Sequence, residues 1–216
     1  NSSHIIKPLA LERTDSGYAL IIPDQGATVL SEYWQAKYWA ADDLNGSSAE
    51  QSVSNSRAKG GHSLSSSGCL DFLTDFLSVA VQLAEALQEL VKQQIIHKDI
   101  KPSNIIIHPD TGHVQLIDFS LSSLLTKEQQ QLNNLTDLEG TLAYLSPEQT
   151  GRMNRSLDYR TDFYSLGVSF FELLTGQLPF VESDPMALLH AHLAKPPVAP
   201  CQLNPQLPTA LSDIVL

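Results

Sequence analysis

The stretch Ile96-His97-Lys98-Asp99-Ile100-Lys101-Pro102-Ser103-Asn104 decides how the rest of the chain is read. Asp99 offers a carboxylate that can take a proton from an attacking hydroxyl. Lys101 offers an ammonium that can neutralise charge on a moving phosphoryl group. Asn104 adds an amide oxygen, a hard donor of the kind Mg²⁺ takes. Each of these residues alone is ordinary in a turn; the order and spacing point to handling of a nucleotide's terminal phosphate.

Working outward, the apolar residues Leu73, Phe76, Leu77, Ala80, Leu83, Ala84, Leu87, Leu90 and Val91 recur at helical spacing, with Asp71 as a candidate N-cap. This predicts a buried helix that supports the loop directly after it. Downstream, Ile105-Ile106-Ile107 and residues 113–117 flank the turn Pro109-Asp110-Thr111-Gly112, which predicts a hairpin ending at Asp118-Phe119-Ser120. Residues 121–139 are rich in Gln, Asn, Ser and Thr and suit a loop that can rearrange. In Gly140-Thr141-Leu142-Ala143-Tyr144-Leu145-Ser146-Pro147-Glu148, Ser146 can cap a short helix with Pro147 at its first position. Asp162-Phe163-Tyr164-Ser165-Leu166-Gly167 opens a nearly uniformly apolar, hence central, helix that Gly176 and Pro179 stop. Asp184-Pro185 opens another, amphipathic one. His190 and His192 on it face different directions, which argues for solvent exposure rather than a metal pair. His108 and His113 flank the hairpin turn and read as surface residues.

Toward the N-terminus, residues 4–11 and 18–22 read as strands joined by Asp15-Ser16-Gly17, and the segment 23–26 breaks the pattern. Tyr33, Trp34, Tyr38 and Trp39 read as packing residues. Residues 41–68 turn to Ser, Gly, Ala and Asn without periodicity, a composition that reads as a mobile insertion.

A chain of 216 residues can bury a sizeable core, and its net charge of -11 argues against nonspecific nucleic-acid binding and against an anionic membrane surface. Cys69 and Cys201 lie far apart outside any metal-ligand pattern and read as reduced thiols. No apolar run is long enough for a transmembrane segment, and no secretory signal opens the chain, so a cytoplasmic setting is expected. The opening at Asn1 and the break-off at Ile214-Val215-Leu216 read as those of a fragment.

His97-Lys98-Asp99 with Lys101 and Asn104, then Asp118-Phe119-Ser120, then Gly140-Thr141 leading to Ser146-Pro147-Glu148, then 162–167, form an ordered set. That set resembles a eukaryotic-type serine/threonine protein kinase domain over nearly the whole chain apart from the insertion. More narrowly, the segments 97–104 and 140–155 look like the kinase module at the front of bacterial multi-domain sensor kinases, which carry ATPase-like, GAF and histidine kinase regions behind it. The resemblance implies an α+β fold: a remnant of the small lobe with the hinge in 1–33, a hinge-proximal segment with the insertion in 34–68, and an incomplete, mostly helical large lobe in 69–216. It implies ATP and Mg²⁺ as cofactors and a protein substrate phosphorylated on Ser or Thr. Asp99 would orient the hydroxyl and take its proton, and Asp118 and Asn104 would hold the metal. Lys101 would offset charge on the transferred group, and Thr141 would hydrogen-bond to both Asp99 and Lys101. Ile22, Pro23 and Gln25 would meet adenine in the hinge. Asp162 would accept hydrogen bonds from the catalytic-loop backbone, His97 and Phe119 would join an apolar stack, and Glu148 would lack its usual arginine partner.

The sequence departs from the family's pattern in specific ways. It shows no glycine-rich loop and no lysine strand before the hinge, and Lys7 lies too close to the hinge to be that lysine, so it reads as a surface residue on a strand. Ser120 replaces a glycine, which narrows backbone freedom there. Lys98 replaces an arginine and provides a point charge without the bidentate fork that receives a phosphorylated loop. The expectation is an active kinase in an intact parent and an inactive isolated piece. The alternative is a pseudokinase or docking module that relays signals to attached domains. A small-molecule phosphotransferase is disfavoured by 141–148, which has the form of a peptide-docking segment.

Overall fold

A computed structural model describes residues 3–14, 17–23, 26–39, 66–125, 141–151 and 157–216. Most of the expected insertion, residues 126–139 of the rearrangeable loop, Gln25 and Gly140 lie outside the described residues. Strands β1 (Ala10–Thr14) and β2 (Gly17–Ile21) pair antiparallel as a hairpin of their own. The first strand thus starts later than the apolar run suggests. Residues 4–6 instead run parallel to a strand of the next sheet, with Ile6 N–H donating to the Leu116 carbonyl at 3.0 Å. Lys7 is exposed as expected but belongs to no strand.

β3 (Thr28–Val29) leads into α1 (Leu30–Trp34), which continues as a π-helical turn, Gln35–Trp39. The long helix α2 spans Ser66–Lys92. It begins ahead of Asp71, so Asp71 is an exposed helix residue rather than a cap, and residues 66–68 belong to the helix rather than the insertion. Its buried face is Phe72, Phe76, Val79, Leu83, Ala86, Leu87 and Leu90, whereas Leu77 and Val81 are half exposed. Full burial of each large residue on that face stabilises by roughly 1.5–3 kcal/mol.

β4 (Ile95–Ile96) pairs antiparallel with β7 (Ser123–Leu124) and delivers the chain to the decisive loop. A 3₁₀ turn, Pro102–Asn104, then opens the hairpin of β5 (Ile105–Ile107) and β6 (Val114–Leu116), as expected. Gly112 at its turn has φ 66°, where glycine avoids the Cβ penalty. With β3 on the other side of β5, these strands make the sheet β3-β5-β6.

The central helix α3 (Arg160–Thr175) ends on Gly176 in the left-handed region, φ 71°, which donates to the Glu172 carbonyl at 2.8 Å. Trp34, 1% exposed, packs its ring on Phe72 and donates its indole N–H to the Leu173 carbonyl at 2.8 Å. α1, α2 and α3 therefore share one apolar core with Ile100, Ile105 and Leu116. α4 (Pro185–Ala194) starts where expected, its cap Asp184 accepting from the Ala187 N–H at 2.9 Å. α5 (Pro200–Leu203) and α6 (Thr209–Val215) close the described chain against α3. Among the described residues, no helix is long and apolar enough to cross a membrane.

Candidate active site

The loop between β4 and the 3₁₀ turn is held from beneath by α3. The Asp162 carboxylate accepts from the His97 N–H and the Lys98 N–H, each at 2.8 Å, as the resemblance implies. Burial pushes Asp162 up to about 6 against the pull of those N–H donors and of the Lys98 charge. His97 is fully buried, its ring centroid 4.6 Å from that of Phe119, and burial pulls it below its ordinary range. The neutral ring accepts the Asp99 N–H on Nδ1 at 3.4 Å and donates from Nε2 to the Ile117 carbonyl at 3.1 Å. The stack therefore ties the loop to the segment after β6 that carries Asp118.

Asp99 is buried, and its two carboxylate oxygens differ. Oδ2 takes the Lys101 ammonium at 2.9 Å and the Asn104 amide N–H at 2.7 Å. Asn104 donates also to the Asp99 carbonyl at 2.9 Å, which leaves the amide oxygen of Asn104 uncommitted among the described residues. Oδ1 is buried and receives no donor there. Lys101 reaches on to the Thr141 hydroxyl at 2.8 Å. The structure thus brings Asp99, Lys101, Asn104 and Thr141 together. One detail differs: no hydrogen bond joins Thr141 to Asp99 among the described residues, because the Lys101 ammonium bridges the two.

Asp118 is exposed and takes φ 61°, a conformation rare for a non-glycine residue. Its Oδ1 accepts the Ser120 N–H at 3.2 Å, and hydrogen bonding from Ser120 holds the carboxyl below its usual range. Ser120 itself has no left-handed backbone, so the serine is accommodated here without backbone strain. Of the hinge residues, Ile22 lines an apolar cavity of about 600 Å³ together with Ile6, Pro8, Ile117, Asp118 and Phe119. Pro23 is half-buried and is not among the residues that line it, and Gln25 falls outside the described residues.

The segment 141–151, expected to dock a peptide, is fastened to α3 at several points. Ser165 donates to the Tyr144 carbonyl at 2.8 Å, and the Tyr144 hydroxyl donates to Glu172 at 2.5 Å. Ser146 begins the 3₁₀ helix Pro147–Thr150, as expected. Glu148 is held by a residue other than an arginine: Thr161 on α3 donates its hydroxyl to Oε1 at 2.8 Å, a pairing that sequence reasoning missed. His192 is also a correction. It is buried behind this segment, with Nδ1 2.8 Å from the Tyr164 hydroxyl, while His190 is exposed as expected. His108 and His113 are half-buried rather than free on the surface, His113 bonding to the Ser3 carbonyl at 3.0 Å.

Comparison with known proteins matches residues 59–212 to the protein kinase domain. Serine/threonine-protein kinase Pkn1 of Myxococcus xanthus is 36% identical over 65% of this chain and 20% of its own length. Serine/threonine-protein kinase PksC of Streptomyces coelicolor is 34% identical over 64% of this chain and 24% of its length. Hybrid signal transduction histidine kinase G of Dictyostelium discoideum is 32% identical over 66% of this chain and 6% of its length. The chain therefore spans less than a quarter of the length of each of these relatives. The chain belongs to the protein kinase family, on its eukaryotic-type serine/threonine branch.

Proposed function

We propose that the protein carrying these residues transfers the γ-phosphate of ATP to serine or threonine hydroxyls of a protein. The observation that carries this reading is the asymmetry of Asp99: Oδ2 is fixed by Lys101 and Asn104, while Oδ1 is a buried acceptor without a donor among the described residues. Leaving such an oxygen unsatisfied costs free energy, and a substrate hydroxyl donating to it removes that cost at the position where a general base is needed. Lys101, anchored by Thr141, offsets charge that spreads over the transferred group.

The donor set suits Mg²⁺. Among the described residues no cluster of His, Cys, Asp and Glu forms a metal cage, yet the uncommitted Asn104 oxygen and the ionised Asp118 carboxylate are hard donors, the sparse kind of protein ligation that Mg²⁺ completes with phosphate oxygens. The ion would supply charge neutralisation on the nucleotide phosphates. Ile22, Pro23 and Gln25 are proposed to frame the adenine. Attached sensor or histidine kinase domains are part of the proposal, in keeping with the hybrid histidine kinase among the relatives, as is a cytoplasmic setting where ATP is at hand.

The test is phosphate transfer to a protein acceptor by the protein carrying residues 1–216, with Asp99→Ala and Asp118→Ala. Loss of transfer in both variants is expected. Unchanged transfer in both overturns the reading, and nucleotide binding without turnover in the wild type replaces it with that of a docking module.

A further inference from the structure

The loop that carries Asp99 contains a conformation that needs holding. Lys98 has φ 71°, which costs a non-glycine residue free energy and persists only where its surroundings fix it. On its amide side the Lys98 N–H is held by Asp162 at 2.8 Å. On its carbonyl side the donor is a side chain from the docking segment: Gln149 Nε2 donates to the Lys98 carbonyl at 2.9 Å. The other end of the same carboxamide is equally committed. Gln149 Oε1 accepts from the Ser146 N–H and from the Ser146 hydroxyl, each at 3.0 Å, and Ser146 is fully buried.

We propose that Gln149 is a positioning residue for Asp99, clamping the left-handed Lys98 peptide to the docking segment so that placement of the base depends on that segment being folded. The inference rests on the reading of Asp99 as the base. Physically, one rigid amide plane links a buried serine of the segment to the peptide that joins Lys98 to Asp99. Loss of the donor frees that peptide to relax toward an ordinary φ, which moves the following carboxylate. A shift of about 1 Å at a reacting group lowers turnover by up to the order of 10²-fold. The nucleotide-facing residues Asn104 and Asp118 are not touched by Gln149 in the structure, so the effect is expected in kcat and not in the KM for ATP.

Two substitutions test the clamp. Gln149→Met keeps the shape and removes both hydrogen-bonding ends. Gln149→Glu keeps the acceptor for Ser146 but turns the donor into a carboxylate oxygen facing the Lys98 carbonyl, and protonation at low pH restores the donor. Gln149→Met is expected to lower kcat about tenfold or more with ATP KM within about twofold. Gln149→Glu is expected to regain activity relative to wild type as pH falls, a profile that a general packing defect does not produce. Hydrogen exchange over residues 96–104 is expected to quicken in Gln149→Met, and this readout does not need turnover. Wild-type kcat in Gln149→Met, or unchanged exchange in that loop, overturns the clamp. If the wild type shows no transfer, the reading of Asp99 fails, while the exchange measurement still decides whether Gln149 holds the Lys98 peptide. If Gln149→Met does not fold, the pH profile of the nearly isosteric Gln149→Glu decides: parallel to wild type, it overturns the proposal.

Discussion

Lys101 and Thr141 are joined by a hydrogen bond of 2.8 Å across 40 residues of chain, and the same ammonium lies 2.9 Å from Asp99. The side chain that would face the moving phosphoryl group is thus oriented by the segment that would dock the peptide. Thr141→Val removes one of the two acceptors of the ammonium and leaves it held by Asp99 alone. Steady-state phosphorylation is expected to show kcat lowered on the order of tenfold to hundredfold, and Thr141→Ser, which keeps the hydroxyl, is expected to retain most of it.

Asp162 gives the stability of the fold a defined pH dependence. Its pKa is raised from an ordinary 3.8 to about 6, so the folded state binds the proton more tightly than the unfolded chain. The associated stabilisation is fully present below 3.8 and is lost as pH rises through about 6, because a buried carboxylate must then carry its charge. The gap amounts to at most ~3 kcal/mol. Urea unfolding of wild type and Asp162→Asn is expected to show the stability difference between them shifting against the wild type from pH 4 to pH 7. A difference that stays flat across that window contradicts the assignment.

The loop 96–104 was legible in sequence because its chemistry is local: Asp99, Lys101 and Asn104 lie within six residues, and their contacts follow from spacing. The hairpin after it and the ends of α3 and α4 were legible for the same reason, through Gly112, Gly176 and Asp184. The buried face of α2 was not. Apolar residues surround that helix, including Leu70, Leu77 and Val81 on the exposed side, so periodicity alone could not choose which stripe meets α3 and the sheet. Burial of His192 was hidden similarly: spacing separated it from His190 without saying which of the two turned inward. Long-range polar partners such as Thr161 for Glu148 leave no local trace, although the spacing of Ser146 and Gln149 is that of a capping box and was a usable signal.

The Thr161–Glu148 contact predicts a loss of stability that is felt first in the segment 141–151. Thr161 is fully buried, and Thr161→Val keeps its volume while removing the hydroxyl that donates to Glu148. The expected cost is about 1–3 kcal/mol in urea unfolding, with Thr161→Ser recovering most of it. Proteolysis near residues 148–151 is expected to quicken in the valine variant before global stability is lost.

Gly176 couples the end of α3 to the aromatic cluster on the π-helical turn. A Cβ at this position would lie 3.0–3.3 Å from ring carbons of Trp39, and the backbone holds φ 71°. Gly176→Ala therefore meets two separable penalties, one from the left-handed conformation and one from the indole. The backbone part is about 1–2 kcal/mol wherever an L side chain is placed there. The steric part depends on whether the ring can retreat, and Trp39 is packed edge-on to Phe72. In urea unfolding, Gly176→Ala is expected to destabilise by ~2–3 kcal/mol in the wild-type background. In a Trp39→Leu background the same substitution is expected to cost only the backbone part. Equal costs in the two backgrounds would mean that the indole places no constraint on Gly176 and that the glycine is required by φ alone.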